Sequence, residues 1–318
     1  MADRIRKINV QTSEVHAVVT TGNQLPAGAA IWGLAVSANG TIYVADQSLN
    51  VVYKVFEDGR VSGALVGSLS APGDVASSGL LGSAGNSARL RVPIGIAVDS
   101  SDNIYVCDST NHKVKRLSPS GRCQTLAGTG IAGDVCNDNG LLAQFNTPYG
   151  ICVDAAGIVY VADSTNNKIK KILPSGKVVS LAGATGLGAF ANGNGAAAKF
   201  SSPSGICINK SRKLFVADEG NYRIRQVDEA GNVVTLAGFA QGNVDGVGND
   251  ARFGQVYDIC VDNSGVIWVL DWGNHSIRRV LDNGKVNTFM SWKDNTTLGA
   301  SSIAVDNSGF LYILENNV

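Results

Sequence analysis

The sequence predicts an all-β fold, a six-bladed β-propeller of four-stranded antiparallel blades whose sixth blade is closed by strands from the amino terminus. The first observation behind this prediction is a short phrase, apolar-aromatic-Val-Ala-Asp in its commonest form, that recurs along the 318 residues. Self-similarity at a nearly fixed period is the sequence signature of a repeat architecture. The copies end at Asp46, Asp108, Asp163, Asp218, Asp271 and, in a looser form, Glu315.

Each full copy contains four short apolar runs separated by turn signals. In the third copy the runs cover residues 150–154, 158–163, 167–172 and 177–183. Runs rich in β-branched and aromatic residues between Asp, Asn and Gly clusters are typical of strands. A four-stranded sheet with two apolar faces must be covered on both sides, and stacking copies around an axis does this while protecting the sheet edges. We therefore expect each copy to form one propeller blade.

The last copy ends after its second run, and the beginning of the chain supplies the missing half. Residues 5–22 align with the third and fourth runs of the third copy. We expect residues 1–22 to form the outer strands, and residues 302–318 the inner strands, of a closing blade that turns an open stack into a ring. The other blades of this single domain are expected at 33–67, 95–128, 150–183, 205–238 and 258–290.

The repeated pattern resembles the NHL repeat. Its consensus in this chain is P-x-G-I-x-V-D-x-x-G-x-[IL]-Y-V-A-D-x-x-N-x-x-I-[RK]-[RK]-[IL], and the Asn-His pair of the family's name occurs at Asn111-His112 and Asn274-His275. Copies two to five match well, and copies one and six match more loosely. The resemblance implies a propeller, but NHL-like propellers include RNA-binding platforms, protein-interaction modules, extracellular bacterial proteins and a metal-dependent lyase, so the fold alone does not choose a function.

Composition narrows the classes of function. The chain has 26 Lys and Arg and 26 Asp and Glu, whereas nucleic-acid binding usually leaves a basic footprint, so we expect no nucleic-acid partner. We expect no membrane insertion, because no apolar run approaches the roughly 20 residues of a membrane span. The polar amino terminus is unlike a classical secretion signal. We therefore expect a location in the cytoplasm or in an assembled particle.

The acid that ends each second run has two interpretations. Convergent carboxylates could bind a hard cation such as Ca²⁺, and the weak candidates for such a site are Asp108, Asp163, Asp218 and Asp271. Alternatively, each acid accepts backbone N–H groups in a capped turn, with an Asn three residues further on. We expect the capped turn, no metal site and no cofactor, with calcium as the alternative.

The histidines bear on a lyase-like activity. Metal-dependent catalysis on a propeller needs several imidazoles or acids that converge in the channel. The chain has three histidines, His16, His112 and His275, and all three fall outside the first runs and on different blades. We therefore expect no catalytic residue of the lyase type.

Loop lengths and tryptophans indicate a candidate binding site. The connections from each fourth run to the next first run share a face with the acids, and the two shortest, 22–33 and 290–302, flank the closing blade. Three of the four tryptophans map to the edge of this notch, and tryptophan is enriched among interface anchors. The alternative is that the rings fill gaps left by the short loops. The predicted partner-binding residues are Trp32, Tyr257, Trp272 and Trp292.

The predicted function is a non-catalytic interaction or structural module that docks a protein partner or a larger assembly through this long-loop face. A phage virion component, such as a decoration or tail protein, is one compatible assembly. The alternatives are a calcium-dependent hydrolase or lyase with its metal in the channel, and a carbohydrate-binding propeller that uses the tryptophans.

Overall fold

The strands form six antiparallel sheets that surround a central channel. The computed structural model describes residues 4–20, 26, 28–56, 59–68, 72–74, 88–292 and 298–317. The first strand of every sheet lines the channel and contacts the first strands of both neighbours, so the six sheets close into a ring. The prediction of an all-β, six-bladed propeller is confirmed.

Five blades are continuous in sequence, and their strands run outward from the channel in chain order. Blade one consists of Ile31–Val36, Ile42–Asp46, Val51–Val55 and Val66–Gly67. Blade two consists of Pro93–Val98, Ile104–Asp108, Lys113–Leu117 and Cys123–Ala127. Blade three consists of Pro148–Val153, Val159–Asp163, Lys168–Ile172 and Val178–Gly183.

Blades four and five each carry a short fifth strand that the sequence did not predict. Blade four consists of Pro203–Ile208, Leu214–Asp218, Arg223–Val227 and Asn232–Ala237, with Gly193–Asn194 on its outer edge. Blade five consists of Val256–Val261, Ile267–Asp271, Ser276–Val280 and Lys285–Ser291, with Gly246–Val247 outside them. These two-residue strands come from the preceding long loops and pair with backbone groups that an edge strand would otherwise leave open.

The closing blade is assembled from both ends of the described chain. From the channel outward its strands are Leu298–Val305, Phe310–Asn317, Arg4–Asn9 and Val15–Thr20. The amino-terminal strand pairs with its carboxyl-terminal neighbour in a regular antiparallel register, with Ile5 opposite Leu314. The predicted closure by amino-terminal strands is confirmed.

The hydrophobic core is divided among the six gaps between adjacent blades, with one cluster of buried side chains in each gap. In three gaps a buried phenylalanine lies beneath a buried cation of the third strand. Lys170 lies 5.1 Å above Phe145, and Arg225 lies 5.1 Å above Phe200. These contacts join the apolar core to the row of acids and bases described below.

The helices in the described residues are single 3-10 turns. None of them has the length and apolar character needed to cross a membrane. Their ranges are Ser109–Asn111, Gly140–Leu142, Ser164–Asn166, Gly195–Ala197, Glu219–Asn221, Gly248–Asp250 and Trp272–Asn274.

Candidate functional site: the channel mouth

The acids at the ends of the second strands are held within their own blades. In blade three, Oδ1 of Asp163 accepts the backbone N–H of Asn146 at 2.7 Å, and Oδ2 accepts the Asn166 amide at 2.8 Å. Nζ of Lys170 lies 2.8 Å from the same Oδ2, and both charged side chains are fully buried. Burial raises the pKa of Asp163, and Lys170 opposes that rise.

The same arrangement recurs in the other blades that carry an Asp and a third-strand cation. The ion pairs are Asp108–Lys115 at 3.2 Å, Asp218–Arg225 at 2.7 Å and Asp271–Arg278 at 2.8 Å. In the closing blade, Glu315 pairs with Arg6 at 2.7 Å. Each of these acids therefore already has a cation and hydrogen-bond donors within the fold.

Blade one is the exception. Tyr53 occupies the position at which the other blades place Lys or Arg. Oδ1 of Asp46 accepts the backbone N–H groups of Ala30, Ser48 and Leu49 at 3.2, 3.0 and 2.9 Å. Among the described residues, the buried Oδ2 of Asp46 and the buried hydroxyl of Tyr53 have no hydrogen-bond partner. Burial raises the pKa of both groups.

Metal ligands do not gather at any point in the described part of the chain. No group of three or more His, Cys, Asp or Glu side chains there is arranged to hold a metal ion. His112 and His275 instead end single turns in the left-handed conformation, with φ of 53° and 49°. Nδ1 of His112 accepts the backbone N–H of Thr147 at 3.1 Å, which gives this imidazole a structural contact.

The central channel has a volume of about 270 Å³ and is lined by all six first strands. One level of its wall consists of small side chains, three of them thiols: Ala35, Ala97, Cys152, Cys207, Cys260 and Ala304. The thiols are free and buried. Burial raises their pKa values, which keeps the thiols protonated and unreactive.

Closer to the long-loop face, the channel wall is formed by glycine in four blades. A Cβ atom on Gly33 would lie 1.9 Å from the carbonyl oxygen of Ile94, and one on Gly150 would lie 2.1 Å from that of Ser204. Neighbouring backbones approach too closely there for any side chain, which is why the repeat has glycine at this position. Blade five has Asp258 at the same position instead.

Asp258 is the one carboxylate among the described residues that line the channel. Its Oδ2 accepts hydrogen bonds from the Ser302 hydroxyl at 2.7 Å and the Ile303 backbone at 3.0 Å, and its Oδ1 accepts the Ile259 N–H at 2.9 Å. Burial raises its pKa to about 6, although these donors oppose the rise. Asp258 forms no ion pair with any described residue, unlike the paired acids of the second strands.

Aromatic rings surround the opening of the channel on the long-loop face. Trp32, Tyr149 and Tyr257 precede the glycine or Asp258 position in blades one, three and five, whereas the alternate blades have Ile94, Ser204 and Ser301 there. The ring centroid of Trp32 lies 6.4 Å from that of Tyr149 and 6.2 Å from that of Tyr257. Trp272 stacks on Tyr257, with centroids 5.0 Å apart and an interplanar angle of 21°.

Glu219 is a second carboxylate, and it begins a 3-10 turn that contacts the channel-lining strand Pro203–Ile208. It follows Asp218 at the place that Trp272 occupies after Asp271. Burial raises its pKa to about 7. After burial, its negative charge is the largest cause of the raised pKa values of Tyr149 and Tyr257. We call Trp32, Tyr149, Glu219, Tyr257, Asp258 and Trp272 the channel mouth.

The structure brings three of the four predicted partner-binding residues together. Trp32, Tyr257 and Trp272 form one aromatic cluster, but at the channel mouth and not at the edge of a notch. Trp292 lies apart from them and packs, partly buried, against the core between blade five and the closing blade. That the four residues bind a partner stays a prediction.

Sequence reasoning missed Tyr149, Glu219 and Asp258. Two signals in the sequence point to Asp258 and Tyr149. Asp258 departs from a position at which four copies have glycine, and Tyr149 shares its repeat position with Trp32 and Tyr257. A residue that breaks the repeat at the channel wall is therefore informative, because the repeat itself is explained by packing.

The six antiparallel blades around an open channel define a six-bladed β-propeller. The model of the NHL repeat matches residues 90–117, 145–172, 200–227 and 253–280, which fall in blades two to five. The chain belongs to the NHL-repeat β-propellers. Blade one and the closing blade lie outside the matched residues, as the looser resemblance of copies one and six led us to expect.

Two relatives illustrate the extent of the sequence similarity. NHL repeat-containing protein 2 of Gallus gallus is 38% identical over 144 residues, which are 44% of this chain and 20% of that protein. Teneurin-1 of Gallus gallus is 27% identical over 217 residues, 61% of this chain and 8% of that protein. The chain thus corresponds to a fifth or less of the length of these curated relatives.

Solved propellers of varied function share the fold. Virginiamycin B lyase from Staphylococcus aureus aligns with a TM-score of 0.58 at 14% identity, over 96% of this chain and 80% of that one. A gluconolactonase from Xanthomonas campestris aligns with a TM-score of 0.61 at 15% identity, over 90% and 86%. A chain of the nidogen/laminin complex aligns with a TM-score of 0.62 at 17% identity, over 90% and 93%. At these identities the similarity shows the fold alone.

Proposed function

We propose that this propeller is a non-catalytic docking module that binds a protein partner at the channel mouth. The observation that carries the proposal is the aromatic cluster of Trp32, Tyr149, Tyr257 and Trp272, whose rings are neither exposed singly nor buried in a core. Tyrosine and tryptophan dominate binding energy at interfaces because they present large rigid surfaces together with a polar atom.

The polar atoms of these rings support a binding role over a purely structural one. Neither the two indole N–H groups nor the two phenolic hydroxyls forms a hydrogen bond with any described residue. By contrast, the buried Trp268 donates its indole N–H to Asp262 at 3.0 Å. Buried Tyr and Trp side chains usually find such a partner within the fold, so the unused donors of the mouth are available to a ligand.

Selection of peptides from a random linear display library tests this proposal. Peptides are selected on the immobilised wild-type protein, and their affinities are then measured for the Trp32→Ala and Tyr257→Ala variants. Each substitution removes an interface anchor, so we expect an affinity loss of about thirtyfold, which corresponds to about 2 kcal/mol. Thermal midpoints of all variants are measured to verify that the ring remains folded.

Trp292→Ala is the matched control, because Trp292 lies outside the mouth. We expect it to retain peptide binding. Peptides that bind the wild-type protein and both mouth variants equally would contradict the proposed site. Loss of binding with Trp292→Ala alone would also contradict it and would indicate a site beside the closing blade. Assembly into a virion or another particle stays a prediction.

A catalytic role has less support. The structural neighbours named as a lyase and a gluconolactonase share less than a sixth of their residues with this chain, as identities of 14% and 15% indicate. Calcium typically requires six to eight oxygen ligands, whereas the described channel lining offers one carboxylate, Asp258.

A further inference from the structure

We infer that the channel mouth binds an alkylammonium group, a cation of the kind carried by a lysine or methylated lysine side chain, that a docked protein places against the aromatic rings. This inference rests on the proposed docking function and specifies the chemistry of the partner. It follows from a combination of features at the mouth: a cluster of aromatic rings, two carboxylates without cations among the described residues, and a channel whose lining includes Asp258.

The aromatic rings have the arrangement that favours an organic cation. Rings from blades one, three and five approach one another around the opening, with centroid distances of 6.2 and 6.4 Å on the two sides of Trp32. The face of an aromatic ring carries partial negative charge, and ammonium groups bind within about 6 Å of the centroid. Cages of several rings are the usual recognition device for quaternary ammonium groups.

The carboxylates supply the opposite charge. Neither Glu219 nor Asp258 forms an ion pair with another described residue, whereas Asp163 and Asp218 have their cations at 2.8 and 2.7 Å. Both unpaired groups are partly shielded from water. A cation that enters the mouth would meet two acids at reduced dielectric, where charge attraction is stronger than in water.

The hydrogen bonds around Asp258 hold its carboxylate in a fixed position. It replaces glycine at the tightest level of the channel, and three donors from blade five and the closing blade hold its two oxygens in place. A carboxylate that only stabilised the ring would be expected to have a cation, as the second-strand acids do. Here the donors orient a charge that faces the channel.

The rings and carboxylates of the channel mouth fit an organic cation better than a metal ion. A hard divalent cation prefers a shell of oxygen ligands, but the walls of the mouth are mostly aromatic. Alkylammonium groups are bulky and weakly hydrated on their carbon atoms, so they gain from contact with rings and with carboxylates at once.

Calorimetric titration with choline and with its neutral isostere, in which carbon replaces nitrogen, tests the inference directly. The two probes have the same shape and differ in charge. We expect choline to bind the wild-type protein at least about tenfold more tightly than the isostere, because cation–π and carboxylate attraction together exceed about 1.4 kcal/mol. Equal affinities for both probes, or no choline binding at about 10 mM, would overturn the inference.

Variants separate the contributions of the site. Glu219→Gln keeps the shape and removes a charge, and it is expected to weaken choline binding about fivefold while leaving the isostere unaffected. Glu229→Gln is the matched control, since Glu229 is an exposed acid in blade four that pairs with Arg212 at 3.2 Å. An equal loss in both variants would show a general charge effect and contradict a site at Glu219.

The peptides selected for the proposed function distinguish the two claims. If the docking proposal and the inference are both correct, selected peptides share a Lys whose replacement by norleucine abolishes mouth-dependent binding. Peptides that depend on Trp32 but contain no required cation would leave the docking function intact and overturn the inference. Choline binding at the mouth without any selected peptide would support the cation site and count against protein docking.

Discussion

The acids of the second strands and the acids of the channel mouth differ in a way that separates structure from function. Asp163 is fully buried, with Lys170 and several hydrogen-bond donors around it. Asp258 and Glu219 also have raised pKa values because of burial, yet neither has a cation among the described residues. An acid paired with its own cation recurs in five of the six blades, whereas Asp258 and Glu219 each occur once.

The comparison shows that repetition alone is a poor guide to function in a propeller. A carboxylate that recurs with its own cation closes a turn and joins the loop to the blade. Asp258 departs from the repeat, has no cation among the described residues and lines the channel, where a ligand can reach it. The following predictions test this division, beginning with the largest expected effect.

Asp163→Asn should destabilise the ring strongly. The substitution removes the Asp163 carboxylate at 2.8 Å and leaves the fully buried Lys170 with Asp134 as its remaining carboxylate, and loss of one charged partner of a buried group typically costs about 1–3 kcal/mol. Chemical denaturation followed by circular dichroism measures this as a lower midpoint. Lys171→Met, a substitution of the neighbouring and partly exposed lysine, is the control and should change the midpoint little. Similar midpoints for the two variants would contradict the structural role.

Asp258→Gly should leave stability nearly unchanged and weaken choline binding. It restores the residue that four other blades have at this position, so we expect the fold to be retained. Choline affinity should fall about tenfold, which corresponds to about 1.4 kcal/mol, because the channel loses a buried negative charge. Unchanged choline affinity in a folded variant would remove Asp258 from the site.

Glu219→Gln should raise stability in a pH-dependent way. The folded-state pKa of Glu219 is about 7, above its usual 4.5, so the folded protein disfavours the ionised form. The resulting penalty is absent below about pH 4.5 and complete above about pH 7. The variant should therefore match the wild type at pH 4 and exceed its stability by about 1 kcal/mol at pH 8, with allowance for solvent screening. A stability difference that is independent of pH would contradict the unpaired, buried carboxylate.

Asp46→Asn should have the smallest effect. Oδ1 retains the three backbone donors, and the lost Oδ2 has no partner among the described residues. Removing a buried charge without a cation should offset the loss of the charged acceptor, so we expect a change within about 1 kcal/mol. A loss of stability as large as that of Asp163→Asn would contradict this expectation. It would show that the Asp46 carboxylate stabilises blade one without a third-strand cation.

The sequence predicts most of the fold because each blade repeats the same strands and turns. The closure was predictable for the same reason, since an incomplete last copy and a matching amino terminus can be aligned. The sequence also placed Trp32, Tyr257 and Trp272 on one face. It did not predict the fifth strands of blades four and five, because two-residue strands such as Gly193–Asn194 carry no periodic signal.

The composition of the mouth was harder to predict because it depends on how six strands converge. The first strand of blade three has an irregularity between Pro148 and Ile151, which turns the side chains near Tyr149 away from simple alternation. Loop length similarly predicted where the backbone of Trp292 lies but not the direction of its side chain, which packs against the core.

A crystal structure of the protein grown with choline is the most direct test of whether the channel mouth binds an alkylammonium group. We expect an ammonium group within about 6 Å of the Trp32 and Tyr257 ring centroids, on the side that faces Glu219 and Asp258. Choline bound elsewhere on the ring, or a mouth without choline at a concentration that saturates the calorimetric titration, would contradict it.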